Sequence, residues 1–161
     1  MQTFETITLA LTVCLTGICA GILFIFSNTV MGSLRSLSGH QGALTMQRIN
    51  EKILNPTFLF VFVCPVGLHL LSVGLSIIGE ASSPAPFVRM VAAALYIFGV
   101  FGITAACNVP LNDELAAAGS DRSALASTWQ RYLRRWVPWN HLRTGACILS
   151  TVASSLAASL A

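Results

Sequence analysis

The chain reads as an all-α integral membrane protein, a four-helix bundle with amphipathic interfacial helices in its two long loops. Three observations predict this class. Hydrophobic residues make up 55% of the chain and charged residues only 9%, with a mean hydropathy of +0.74, whereas soluble domains carry roughly 25% charge. Four apolar runs, at 7–27, 56–78, 88–107 and 138–160, each reach about 20 residues, which at ~1.5 Å per residue spans a ~30 Å hydrocarbon layer. Small residues recur inside these runs at helix-packing spacing, as Gly17-x-x-x-Gly21, as Gly99 with Gly102, and as Ala153, Ala157 and Ala161. They let backbones approach where lipid supplies no hydrophobic drive. Little chain is left for a soluble domain, so residues 1–161 are expected to form one four-span domain. The same small-residue faces could pack within the bundle, the favoured use, or form a homo-oligomer seam.

The first run carries Glu5 where a signal peptide carries Lys or Arg, and it is longer than a signal peptide's apolar core, so it is expected to be a retained span. Orientation follows from the basic residues. Arg35, Arg48 and Lys52 lie between spans one and two, and Arg122, Arg131, Arg134 and Arg135 lie between three and four. Only Arg89 borders the short connection between spans two and three. Both long loops are therefore expected in the cytoplasm and both termini outside. The net charge of +3 is a topology and lipid-headgroup signal and gives no case for nucleic acid.

Both loops carry amphipathic patterns. From Asp121, an expected N-cap, apolar residues recur at Leu125, Trp129, Tyr132 and Trp136 while Arg131, Arg134 and Arg135 take other faces. The pattern predicts an interfacial helix whose rings sit at headgroup depth. A weaker copy, Met46, Ile49 and Ile53, ends where Asn55-Pro56 interrupts the helix before span two. Each half thus reads span, polar turn, surface helix, proline, span, a hint of a parallel internal repeat.

Polar residues collect at one membrane depth. Ser27, Asn28 and Thr29 end span one, Asn50 and Asn55 precede span two, Thr104 and Asn108 end span three, and Asn140, His141 and Arg143 open span four. Lipid cannot satisfy such groups, so they either cap helices and bond one another or face a cavity. Pro138 suits the first position of a helix, which predicts a start of span four there. His141 would then lie in a first turn whose dipole keeps imidazole neutral and able to accept a proton. The alternative is that Arg143 snorkels and Trp139 belongs to an aromatic belt.

The remaining reactive residues have plainer readings. His69 lies one turn beyond Pro65 in span two and is expected to be a hydrogen-bonded structural histidine, with metal binding or a cavity wall as alternatives. His40, in the Ser38-Gly39-His40-Gln41-Gly42 turn, is expected to be solvated. The five cysteines Cys14, Cys19, Cys64, Cys107 and Cys147 fall in or beside apolar runs without a C-x-x-C pair and read as small packed hydrophobes. No phosphate loop, dinucleotide fingerprint or paired-histidine metal motif is written in the chain.

Several blocks carry a resemblance. They are Ser27-Asn28-Thr29-Val30-Met31, Met46-Gln47-Arg48-Ile49-Asn50 with Asn55-Pro56-x-Phe58, Phe101-Gly102-Ile103-Thr104 leading into Asn108-Val109-Pro110-Leu111-Asn112-Asp113-Glu114-Leu115-Ala116, and Trp129-x-x-Tyr132-x-x-x-Trp136-x-x-Trp139-Asn140-His141-x-Arg143-Thr144. Across nearly the whole chain these resemble the anthrone oxygenase-like membrane family, many of whose bacterial members carry only a label of unknown function. The resemblance implies a four-span protein in a bacterial plasma (inner) membrane that oxidises an anthrone, an apolar polycyclic phenol, to a quinone with O2 and without metal or flavin. Under that reading the expected catalytic residues are His141 as base and Arg143 as anion partner. Asn28, Asn50, Asn108, Asn112, Trp139 and Asn140 are expected to bind substrate, and no metal site is expected. The rival readings are a non-enzymatic membrane subunit and a small-molecule carrier with a polar vestibule.

Overall fold

A computed structural model describes residues 2–78 and 84–160, and the described chain is helical with no strand. Among these residues the α-helices are α1 (Gln2–Ile25), α2 (Met31–Arg35), α3 (Gly39–Ile53), α4 (Pro56–Ile78), α5 (Ala85–Tyr96), α6 (Val109–Ala117) and α7 (Arg122–Ser159). A π-helical segment, Phe26–Val30, carries α1 into α2 without a break, and two more, Ile97–Gly102 and Thr104–Asn108, carry α5 into α6.

Three helical runs are long and apolar enough to cross a membrane: Thr3–Arg35, Pro56–Ile78 and Ala85–Ala117. Large side chains such as Ile77, Ile78, Phe87 and Phe98 point outward along them, as on a lipid-facing surface. The expected fourth span, 138–160, is the second half of α7. Asn140, His141, Arg143, Ser150, Ser154 and Ser155 make it markedly more polar than the other three runs, and several of those groups turn inward.

α1 packs on α4 and α7, and α5 packs on α4 and α7. Small residues bring the backbones together: a Cβ on Gly17 would lie 3.6 Å from Thr151 of α7, and one on Gly99 would lie 2.7 Å from the Ala146 Cβ. Ala157 is fully buried, whereas Gly21 faces open space and Ala161 lies outside the described residues. The core here is Cys19, Ala20, Leu23, Phe62, Tyr96, Val100, Ala146 and Cys147.

A second core lies at one end, where α2, α3, α6 and the first half of α7 form a cap. Met31, Leu34, Met46, Leu111, Leu115, Leu125, Trp129, Tyr132 and Trp136 fill it. Trp129, Tyr132 and Trp136 stack in sequence with centroids 5.5 and 5.7 Å apart, each pair adding about 0.5–1.5 kcal/mol beyond burial. Gln47 ties the cap across its top by donating to the carbonyls of Leu115 and Gly119 at 2.7 and 3.1 Å.

Local signals in the sequence hold where they concern caps and interruptions. Asp121 caps α7 through hydrogen bonds from the backbone N–H groups of Ser123 and Ala124, which hold its carboxyl below the usual range. Asn55 accepts from the N–H of Phe58 at the start of α4, directly after the break at Asn55-Pro56. Other expectations are corrected. The aromatic face of 121–136 does not sit among headgroups, because α2, α3 and α6 cover it and make it protein core. The first helical run does not stop at Ser27 nor the third at Asn108, because π-helical turns absorb the polar residues without ending the helix. α7 runs through Pro138 without a new N-terminus, so Asn140 and His141 lie mid-helix and the predicted first-turn dipole effect on His141 does not arise.

Candidate functional site

Where the cap meets the bundle, the helices leave a cavity of about 260 Å³. Its wall is mostly apolar: Ile22 and Leu23 from the end of α1, Phe26 from the first π-helical segment, Phe58 and Phe62 from α4, and Phe101 from the second π-helical segment. Phe58, Phe62 and Phe101 form a run of stacked rings with centroids 5.6 and 5.8 Å apart. The polar residues in the wall are Asn50, Thr104, Asn112 and Arg143, with Trp136 beside them. An apolar pocket with a few convergent polar groups is the usual form of a small-molecule site.

Arg143 reaches this corner although 8% of its surface is exposed. Its Nε donates to Asn140 Oδ1 at 2.9 Å and its Nη1 to Thr104 Oγ1 at 3.1 Å, and its guanidinium lies 5.0 Å from the centre of the Trp136 ring. Asn140, fully buried, donates in turn to Ser27 Oγ at 2.6 Å and to the Leu23 carbonyl at 3.2 Å, just before the first π-helical segment. Ser27 and Thr144 close the ring of polar contacts at 3.1 Å. A buried guanidinium without a carboxylate partner is stabilised by such neutral acceptors and by the ring face, and it stays available to an anion.

The neighbouring groups hold out donors. Trp136 Nε1 and Asn50 Nδ2 are buried without a hydrogen-bond partner among the described residues. The main acceptors are spent: Asn112 Oδ1 takes the Tyr132 hydroxyl proton at 2.8 Å, and Thr104 gives its own proton to the Val100 carbonyl. The Asn50 side chain also approaches the Tyr132 hydroxyl, whose proton goes to Asn112. Burial pushes the Tyr132 phenol well above its ordinary range, so it remains a neutral donor. Unpaired buried donors cost free energy unless something accepts from them.

A second, wetter cavity of about 520 Å³ adjoins the first. The two share Asn50, Ile53, Leu54, Val109 and Asn112, and Gln47, Glu51, Asp113 and Ser120 line the outer one. It forms a vestibule on the cap side.

The residues expected at the site separate into three groups. Asn50, Asn112 and Arg143 line the cavity. Asn140 and Asn108 stand behind its wall, Asn108 donating to the Trp136 carbonyl at 3.4 Å with its own Oδ1 unpartnered. Asn28, Trp139 and His141 point outward, Trp139 with 39% of its surface exposed, and they do not join one pocket with Asn108 and Asn140. In mid-helix α7, His141 falls on the face opposite Asn140 and Arg143. Sequence reasoning missed Trp136 and Tyr132, which it read as headgroup rings. Their spacing of three and seven residues from Trp129 was the available signal for one buried face.

His69 is buried deeper in the bundle, with Nε2 at 3.4 Å from Thr16 Oγ1 and 3.3 Å from Ser150 Oγ. In the turn before Pro65 the Tyr96 hydroxyl donates to the Phe62 carbonyl at 2.8 Å. No cluster of three metal-ligating side chains occurs among the described residues.

Nothing among curated proteins and nothing among solved structures matches the chain. The family model described as anthrone oxygenase does, over residues 43–153. That stretch runs from α3 into the bundle half of α7 and includes Asn50, Thr104, Asn112, Trp136 and Arg143 of the cavity wall, while α1 and its Ser27-Asn28-Thr29 block lie outside it. With more than half of its length matched, this chain belongs to the anthrone oxygenase family.

Proposed function

We propose that the protein is a membrane-embedded, cofactor-independent oxygenase that converts an anthrone-like polycyclic phenol into the corresponding quinone with O2. One observation carries the reading: an aromatic-lined cavity whose polar corner offers the Arg143 cation and the unspent donors of Trp136 and Asn50. Such a corner favours a flat apolar ligand bearing one oxygen that becomes negative.

An anthrone supplies that oxygen. Loss of a proton from its methylene carbon gives a delocalised enolate, and the charge falls on the oxygen that Arg143, Trp136 Nε1 and Asn50 Nδ2 would hold. The carbanionic carbon passes one electron to O2, and recombination forms a C–O bond as a hydroperoxide. Cleavage of the O–O bond with loss of the remaining C–H proton leaves the quinone carbonyl and releases water, so one oxygen atom enters the product and no external reductant is consumed. The substrate provides all the electrons, and the protein's part is to hold the anion in a dry apolar wall. No carboxylate or imidazole lines the cavity, so we assign no side chain as base and route the proton to the vestibule bounded by Glu51 and Asp113. His141, which points away, is given no part.

We further propose that the second half of α7 completes a four-span bundle in a bacterial plasma membrane with the cap in the cytoplasm and both termini outside. Its polar groups turn inward onto α1 and α5, which makes it an acceptable fourth span despite its composition.

The test is oxygen uptake by detergent-purified protein given a simple anthrone after metal chelation. Uptake matched by equimolar quinone supports the reading. Saturable binding of the anthrone without uptake would favour the carrier instead, and neither binding nor uptake would favour the subunit.

A further inference from the structure

The two most buried cysteines of the chain meet across a helix seam outside the cavity. Cys19 of α1 and Cys147 of α7 are 1% and 0% exposed and belong to one buried cluster between the two helices. Cys147 Sγ donates to the Thr16 carbonyl, one turn before Cys19, at 3.4 Å, and the Tyr96 hydroxyl donates to Cys19 Sγ at 3.5 Å. The backbones run close here because Gly17 faces Thr151, where even an added Cβ would lie only 3.6 Å away. Closing a disulfide requires the two Cα atoms to come to about 4.4–6.8 Å of each other. Each cysteine is also one helical turn from the cavity wall, Cys19 from Leu23 and Cys147 from Arg143.

We infer that Cys19 and Cys147 are a redox-active dithiol that a hydroperoxide-class oxidant closes into a disulfide joining α1 to α7. The Tyr96 hydroxyl lies 3.5 Å from Cys19 Sγ and can turn its proton from the Phe62 carbonyl onto negative charge developing there, which makes Cys19 the attacking sulfur. Its thiolate attacks one peroxide oxygen, an S–O bond forms as the O–O bond breaks, and the departing hydroxide takes a proton to leave as water. Cys147 then attacks the sulfenic sulfur of Cys19, and the S–O bond breaks with loss of a second water. Two thiols and one peroxide give one disulfide and two waters. Burial within the bundle excludes bulky thiol reagents and admits a molecule of peroxide size. The disulfide would fix the seam that carries Asn140 and Arg143 against α1, so oxidation is expected to raise the melting temperature. The inference stands apart from the proposed turnover, since it needs only the two thiols and an added oxidant.

The experiment treats the purified full-length protein in detergent with hydrogen peroxide, then unfolds it, alkylates free thiols and maps the peptides. Two of the five cysteines should resist alkylation, appear as one Cys19–Cys147 linked peptide, and return after dithiothreitol. In Cys147→Ser, Cys19 should stop at the sulfenic acid and be trapped by dimedone present as the protein is unfolded. Five alkylated thiols after treatment, or a linked peptide containing Cys14, Cys64 or Cys107, would overturn the inference. The wild-type map decides by itself if the variant does not fold.

Discussion

Asn140 connects the cation of the cavity to another helix: its Oδ1 accepts from Arg143 Nε at 2.9 Å while its Nδ2 donates to Ser27 Oγ at 2.6 Å and to the Leu23 carbonyl. One amide therefore sets both the guanidinium's place and the fit of α7 against the end of α1. Asn140→Ala removes an acceptor from a buried charge and a donor from a buried carbonyl. The expected cost is about 1–3 kcal/mol, read as a lower melting temperature in detergent, together with weaker binding of an anionic aromatic ligand. An unchanged melting temperature would mean that water replaces the amide.

Trp136→Phe separates anion recognition from packing. The ring that stacks on Tyr132 and underlies Arg143 is largely kept, while the buried Nε1–H that lacks a partner is lost. Removing an unsatisfied donor should leave stability unchanged or slightly raised. Affinity for the anionic form of a phenolic ligand should fall about tenfold, the equivalent of one charge-assisted hydrogen bond. A fluorescence titration with such a ligand reads the effect, and equal affinity in the variant would remove Trp136 from the site.

His141→Gln should leave turnover at the wild-type rate, because the imidazole faces outward from mid-helix α7 and lines neither cavity. A general base at that position would instead show a loss of about 10²–10⁴-fold. Steady-state rates on folded, monodisperse protein distinguish the two.

Much of this was legible in the sequence, for local reasons. Composition and run length announce apolar helices, Asp121 announces a cap, and Asn55-Pro56 announces a break, since each acts through its own few residues. What could not be read locally is how helices end and what covers them. Polar residues at Ser27-Asn28 and at Thr104 to Asn108 look like span termini, yet π-helical turns carry the chain through them. Pro138 looks like a start, yet α7 tolerates it mid-helix on an exposed face. The aromatic stripe of Trp129, Tyr132 and Trp136 looks membrane-facing because two of the short helices that bury it, α2 and α3, lie far away in sequence and the third, α6, must fold back onto it. The inside of α7 was therefore misassigned by one face: Asn140 and Arg143 turn in, and His141 turns out.

The proposed orientation rests on seven basic residues in the cap-side segments, Arg35, Arg48, Lys52, Arg122, Arg131, Arg134 and Arg135. By the positive-inside rule that proposal has the cap in the cytoplasm. A reporter fused after the C-terminus should be active only outside the cytoplasm, and a cytoplasmic signal would invert the arrangement.

The central claim is that Arg143 holds the anion formed from the substrate. Oxygen uptake with a simple anthrone, measured on chelator-treated wild type, Arg143→Lys and Arg143→Met of equal folded fraction, tests it most directly. Lys keeps the charge and loses the planar fork, so it should retain part of the rate, whereas Met should lose about 10²–10³-fold, as for removal of one preorganised anion partner. Turnover by Arg143→Met at the wild-type rate, or no uptake by folded wild type, would contradict the account.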